Sequence, residues 1–345
     1  MGGKSKSAIV RATTQLNRIA SADDRVVSLG LMEHKPPRKN PLLPPMLLLH
    51  GATLGACVFD LPLPGYSLMA EMASRGRSVY AVDIRGFGNS CIEPANSAGP
   101  ASHAPFPSIV EAVADLGAAV IAILARERVE ALDLIGFSWG SIAATRYAIE
   151  YPEHIARLAL YAPLYGEPNP TWLDVIAEPS NPMQLRSDVG DYRSITLSDL
   201  THRWDNEIGD HALDDYRESG VLECVFQTLW SLHRHVRADG APAFRCPTGP
   251  LIDLLHVFNG RRVYDATRLT MPTFLVRGSD DITSTDSDAR SLLRDIRSRV
   301  KSYAVVPCAS HFLLLEKKRT ALYRLLDAFF EPLKESRRSL EEDIL

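Results

Sequence analysis

The chain has 345 residues, a formal net charge of −4 and a sequence isoelectric point near 6.2. Its 46 % apolar and 23 % charged content is that of an ordinary globular protein, long enough for one large domain or a core with an insertion. That balance gives no footing for nucleic acid or an anionic membrane as a main partner.

The five cysteines (Cys57, Cys91, Cys224, Cys246 and Cys308) show neither a C-x-x-C pair nor zinc-like spacing, and their odd number leaves at least one without an intrachain partner. A reduced, cytoplasmic chain is therefore expected. No apolar stretch follows the basic opening at 1–7, so no secretory signal is expected. Lys6 occupies the place where a myristoylation pattern wants Ser or Thr. No apolar run reaches the length of a transmembrane helix.

In chain order, residues 1–22 read as a polar N-terminal extension, at most a short surface helix. Residues 25–32 read as a first strand. Short apolar runs then recur at 46–49, 78–82, 132–135, 158–162, 273–276 and 303–306, each closed by Gly, Pro or a polar residue. Such runs suit strands buried on both faces. Between them lie helical patterns. Ser108 and Glu111 form a capping box ahead of an apolar period over 109–124, and an Ala-rich helix over 138–149 stops at Pro152. Ala289, Leu292, Leu293 and Ile296, and later Leu322, Leu325, Leu326 and Phe329, repeat at i, i+3, i+4, i+7. Alternating strands and helices predict an α/β fold, a mostly parallel sheet flanked by helices. The rhythm fails over 166–269. So long a stretch is not a bare loop in a compact domain, and it is expected to be a mainly helical lid inserted into a core of 23–165 and 270–335.

Chemistry concentrates at three strand ends. Gly136-Phe137-Ser138-Trp139-Gly140 lies between the strand at 132–135 and the Ala-rich helix, the context in which a G-x-S-x-G turn presents a nucleophilic serine. By itself the pattern also fits a plain strand-to-helix turn with a serine N-cap. After the run at 273–276 comes Arg277-Gly278-Ser279-Asp280-Asp281, placing an acid where open parallel sheets bind ligands. After the run at 303–306 comes Pro307-Cys308-Ala309-Ser310-His311-Phe312. A histidine there can take the serine proton and return it to a leaving group. Glu167, after the run at 158–162, is a rival for the acid.

Taken with His50-Gly51 and Asp83-Ile84-Arg85-Gly86-Phe87-Gly88-Asn89-Ser90, these segments resemble, in order, the signatures of the α/β-hydrolase superfamily. The resemblance covers roughly 25–333 and leaves the lid unmatched. It implies Ser138 as nucleophile, Asp281 as acid and His311 as base, with no cofactor and no metal. It implies an oxyanion hole from the backbone N–H of Trp139 and of Ala52, with Thr53 as a second source. His50, Asp83 and Arg85 are expected to be structural. The loop lacks the His-Gly-Gly-Gly of hormone-sensitive-lipase-like esterases and the His-Gly-Gly-Pro-Gly of proline iminopeptidases, although the elbow with Ser141 is similar to that of the iminopeptidases. A serine at the elbow speaks against haloalkane dehalogenases and soluble epoxide hydrolases.

Trp172, Trp204, Phe226 and Trp230 fall in the lid. Each suits the lid's own core, while some of them, with Trp139, are expected to line an apolar substrate site. Arg234, His235 and Arg237 suit a solvated surface better than a carboxylate site. The leading expectation is a serine esterase acting on a small to medium apolar or aromatic ester through an acyl-enzyme. The alternatives are an amide or peptide hydrolase, a carbon–carbon bond hydrolase, an acyltransferase, or a ligand-binding protein with slow turnover. The partner expected is a small-molecule ester or amide, with no nucleic acid and no membrane; a homodimer stays open.

Overall fold

The computed structural model describes residues 10–19, 26–90, 104–232 and 234–331. The chain opens with strands β1 (Val10–Ile19) and β2 (Val26–Lys35), then β3 (Met46–Leu49), helix α1 (Leu68–Ser74) and β4 (Val79–Val82). Helix α2 (Ile109–Glu127), β5 (Leu132–Phe137), α3 (Trp139–Glu150) and β6 (Ile155–Tyr161) complete the first part of the core. A long inserted segment follows, with α4 (Pro170–Ile176), the hairpin β7 (Ala177–Glu178) and β8 (Asn181–Leu185), and β9 (Tyr192–Thr196). It continues with α5 (Leu197–Ile208), α6 (Leu213–Tyr216), α7 (Val221–Leu232), β10 (His235–Val236), β11 (Pro242–Pro247) and α8 (Pro250–Phe258). The chain then returns to the core as β12 (Thr273–Gly278), α9 (Asp286–Asp295), β13 (Lys301–Val306) and α10 (Arg319–Phe330).

Eight strands form one sheet in the order β1-β2-β4-β3-β5-β6-β12-β13. Pairing is antiparallel from β1 through β2 to β4 and parallel across the rest. This is the α/β architecture expected. Strands β3, β4, β5 and β12 are buried along their whole length, which is why they read as unbroken apolar runs. The run at 303–306 differs. It belongs to the edge strand β13, where only Val306 is fully buried. The capping box of Ser108 and Glu111 forms at the start of α2, each side chain accepting from the other's backbone N–H.

Two expectations change. Within the stretch read as a polar extension, 10–19 form β1, a ten-residue antiparallel partner of β2; 1–9 and 20–22 lie outside the described residues. The strand is stabilised by ladder bonds to the edge of the next strand, β2, and backbone pairing of this kind needs no helical or apolar period in the sequence. The inserted segment also carries more strand than expected, including a three-stranded sheet ordered β10-β11-β9. Its strands are short, and so too few residues alternate to be recognised.

Among the described residues no helix is long and apolar enough to cross a membrane.

Candidate active site

Ser138 sits between the end of β5 and the start of α3 with φ +56° and ψ −124°, a conformation disfavoured for any residue with a Cβ. Its N–H donates to the Tyr161 carbonyl at 2.9 Å and its carbonyl accepts from the Ser141 N–H at 2.8 Å. The flanking glycines are required by close approach. A Cβ on Gly136 would lie 2.6 Å from the Gly140 carbonyl oxygen, and one on Gly140 would lie 2.3 Å from that of His50. Gly51 is pressed against the serine in the same way, 3.1 Å from its Cβ if it carried one itself.

The strand-end loops bring their side chains to this hydroxyl. His311 Nε2 lies 2.9 Å from Ser138 Oγ, and Nδ1 lies 2.9 and 3.0 Å from the two carboxylate oxygens of Asp281. A carboxylate only accepts, so Nδ1 holds the proton and Nε2 turns its lone pair to the hydroxyl. Asp281 also accepts the N–H of Thr283 at 2.9 Å and of Ser284 at 2.7 Å. All three residues are buried, with 3 to 6 % of their surface exposed. Asp280 instead accepts from the Tyr216 hydroxyl. The other rival, Glu167, follows β6 and donates its N–H to Asp288, while the carboxylate on His311 is that of Asp281.

His50 is fully buried and bridges neighbours. Nδ1 donates to the Gly51 carbonyl at 2.8 Å, Nε2 accepts the Ile84 N–H at 3.1 Å, and burial holds the imidazole below its usual range, toward the neutral form. Asp83 accepts the N–H groups of Ala56 and Asn89, and Arg85 pairs with Asp115 and Glu111, so both hold turns. Among the described residues, no acceptor is paired with the N–H of Ala52 or of Trp139. The Ala52 carbonyl is held from the inserted segment by the thiol of Cys246, 3.2 Å away.

The chain matches the profile of the alpha/beta hydrolase family over residues 46–323. It belongs to that family. No curated protein matches it. Among solved structures, this alpha/beta hydrolase is similar to the 2-hydroxy-6-oxo-6-phenylhexa-2,4-dienoate hydrolase of Rhodococcus sp. strain RHA1, with TM-score 0.60 and 15 % identity over 94 % of this chain and 99 % of that one. An esterase from Exiguobacterium antarcticum gives 0.59 and 14 % over 88 % and 96 %. The thioesterase domain of a curacin biosynthetic pathway gives 0.57 and 16 % over 91 % and 99 %. At these identities the likeness is one of fold.

The inserted segment of the hydrolase reaches both strand-end loops through α5. Glu207 accepts the Ile282 N–H at 3.1 Å and the Thr283 hydroxyl, directly after Asp281, and pairs with Arg203 at 2.6 Å. Trp204 stacks on Phe312, the residue after His311, with ring centroids 4.9 Å apart. Its indole N–H donates at 3.1 Å to Glu316, whose carboxylate also accepts from the Ser310 N–H and hydroxyl. Tyr161 donates its hydroxyl to the His311 carbonyl at 2.7 Å.

Of the aromatic residues predicted to line a pocket, Trp204 thus stands beside the His311 loop. Trp172 donates to the Thr283 hydroxyl at 2.9 Å and stacks under Arg203. Trp139 is wholly buried, with its indole N–H on Asp253 of α8 at 2.8 Å. Phe226 packs on Phe244 within the insertion, and Trp230 meets Arg234 and the His235 carbonyl at the end of α7. A surface cleft of about 570 Å³ lined by Lys39, Leu42 and Glu130 shares no residue with this cluster.

Glu207 and Glu316 were not singled out from the sequence, yet each carries a signal. Leu200, Trp204, Glu207 and Ile208 fall on one face of α5, so Glu207 is an acid on an apolar stripe. Glu316 closes the apolar run Leu313-Leu314-Leu315.

Proposed function

We propose that the protein is a serine hydrolase that cleaves a carboxylic ester of a small to medium apolar or aromatic substrate through an acyl-enzyme. The observation that carries this reading is the His311 ring spanning Ser138 Oγ and the Asp281 carboxylate with hydrogen-bond distances on both sides.

Ser138 Oγ attacks the carbonyl carbon while His311 Nε2 takes its proton, and Asp281 stabilises the imidazolium that results. The carbonyl oxygen becomes an oxyanion, received by the N–H groups of Ala52 and Trp139. Such preorganised donors are worth about 10²–10³-fold each in rate. Collapse expels the alkoxide, which takes the proton from His311 Nε2. Water then repeats the sequence on the acyl-serine, releasing the acid and restoring Ser138. Residues 166–269 act as the lid of a core formed by 23–165 and 270–335, and Trp204, wholly buried against Phe312, supports the loop that carries His311.

The test is turnover of a panel of p-nitrophenyl acyl esters beside labelling by a fluorophosphonate, for the wild type and Ser138→Ala. Hydrolysis and labelling that both vanish in the variant support the reading. Full activity in Ser138→Ala, or no turnover and no labelling in the wild type, overturns it. A matched aryl-amide panel separates ester from amide cleavage, since an amine leaving group demands efficient protonation by His311.

A further inference from the structure

We propose that Arg193 is the anchor for an anionic group on the substrate, so that the preferred substrates are esters bearing a free carboxylate. The inference rests on the ester-hydrolase reading above and names the substrate class for that site.

Arg193 lies on β9, where it is the cross-strand partner of Cys246 on β11; Ile195 and Phe244 form the pair two positions along. Residues opposite one another, and those two apart, share a face of a sheet. Arg193 therefore projects from the same face as Cys246 and Phe244, both fully buried. That face is turned to the loop after His50. The Cys246 thiol donates to the Ala52 carbonyl at 3.2 Å, and Arg193 Nη2 lies 3.4 Å from the Thr53 hydroxyl oxygen. Ala52 is the residue whose N–H would receive the oxyanion, and a Cβ on the preceding Gly51 would lie 3.1 Å from that of Ser138.

A guanidinium has five donors and a permanent charge. Among the described residues, Nη2 finds only the long contact to Thr53 and a 3.6 Å contact to the Cys246 sulfur. Nε is buried, and among the described residues it has no hydrogen-bond partner and Arg193 takes part in no salt bridge. Cations on the inward face of a sheet are normally compensated, because desolvating them without a partner is costly. The Nε edge is the side that takes a carboxylate in bidentate fashion. A substrate whose scissile carbonyl lies at Ser138 and whose second carboxylate reaches past Ala52 and Thr53 supplies that partner. Half-esters of short dicarboxylic acids have this form.

The test compares two aryl esters of similar length, p-nitrophenyl pentanoate and mono-p-nitrophenyl glutarate, on wild type, Arg193→Gln and Arg193→Lys, with thermal melts to verify folding. The quantity read is the ratio of kcat/KM for the anionic ester to that for the neutral one. The ratio is expected to fall at least about tenfold in Arg193→Gln, the loss of a charge-assisted pair, and to recover in part in Arg193→Lys. An unchanged ratio in Arg193→Gln overturns the proposal. A binding arm is independent of turnover: calorimetry of monomethyl glutarate with Ser138→Ala should give heat that disappears in Ser138→Ala/Arg193→Gln. Absence of binding to Ser138→Ala counts against the anchor. Failure of the hydrolase reading shows differently, as loss of both esters and of fluorophosphonate labelling.

Discussion

Trp204 donates its indole N–H to Glu316, and the same carboxylate accepts the N–H of Ser310, the residue before His311. A residue of the insertion thereby helps to set where the imidazole stands. Three positions along α5, Glu207 grips the backbone just after Asp281. One helix of the inserted segment braces both loops that meet at Ser138. Burial holds the Glu316 carboxyl above its usual range, so its hydrogen bonds to Ser310 and Trp204 are what keep a charge tolerable there.

Trp204→Phe keeps an aromatic ring on Phe312 but removes one of the two donors to a buried carboxylate oxygen, leaving it the Ser310 hydroxyl alone. We expect a stability loss of about 1–3 kcal/mol in denaturant unfolding. A displaced His311 loop should lower kcat by about 10- to 100-fold, with a smaller change in KM. An unaltered kcat would show that the brace has no catalytic consequence.

Ser138 is held at φ +56°, which costs of order 1–3 kcal/mol for a residue with a Cβ. Ser138→Gly relieves that strain, whereas Ser138→Ala does not. Both variants should lack esterase turnover, and the glycine form should be the more stable of the two by about 1 kcal/mol, after the entropy of glycine in the unfolded chain is counted. Paired urea titrations measure the difference; a more stable alanine variant would refute the strain.

Gly140→Ala places a methyl 2.3 Å from the His50 carbonyl oxygen and 2.8 Å from that of Leu49, both backbone atoms that cannot rotate away. The elbow and the loop carrying Ala52 must part. The expected result is a loss of several kcal/mol, at the upper end of about 1–3 kcal/mol for an overpacked site or beyond, with ester turnover reduced in whatever folds. Gly240→Ala is the control: nothing lies within 4 Å of its Cβ position, and its penalty comes only from φ +83°.

Asp253, the partner of the Trp139 indole, is pushed up to about 6 by burial, partly opposed by that hydrogen bond. An acid whose folded value lies above its unfolded one binds more protons when folded. Stability should therefore be highest below pH 4 as far as this group is concerned, and decline between about pH 4 and 6. Asp253→Asn should remove that slope from the pH dependence of unfolding. The environment of the Trp139 indole, read by fluorescence or by its N–H resonance, should titrate near pH 6 in the wild type. A flat titration there would contradict the assignment.

The strand ends were legible because their chemistry is local. A buried run, a glycine turn and a helix start lie within ten residues at Ser138, and the same proximity exposed Asp281 and His311 as acid and base candidates. The parallel sheet followed from the buried runs themselves. β1 was not legible, because 10–19 are polar and take their form from the exposed ladder of β2. The small strands of the insertion hid for want of length, and the edge strand β13 read as more buried than it is.

The sequence by itself determined the class of fold and the order in which the three candidate side chains arrive, since each depends on residues a turn apart. Only the tertiary structure decided which acid meets His311, and that Trp204 and Glu207 hold the two loops. Those contacts join positions 75 and 112 residues apart. Such pairs share no period or motif, and they become neighbours only when the insertion packs down on the sheet.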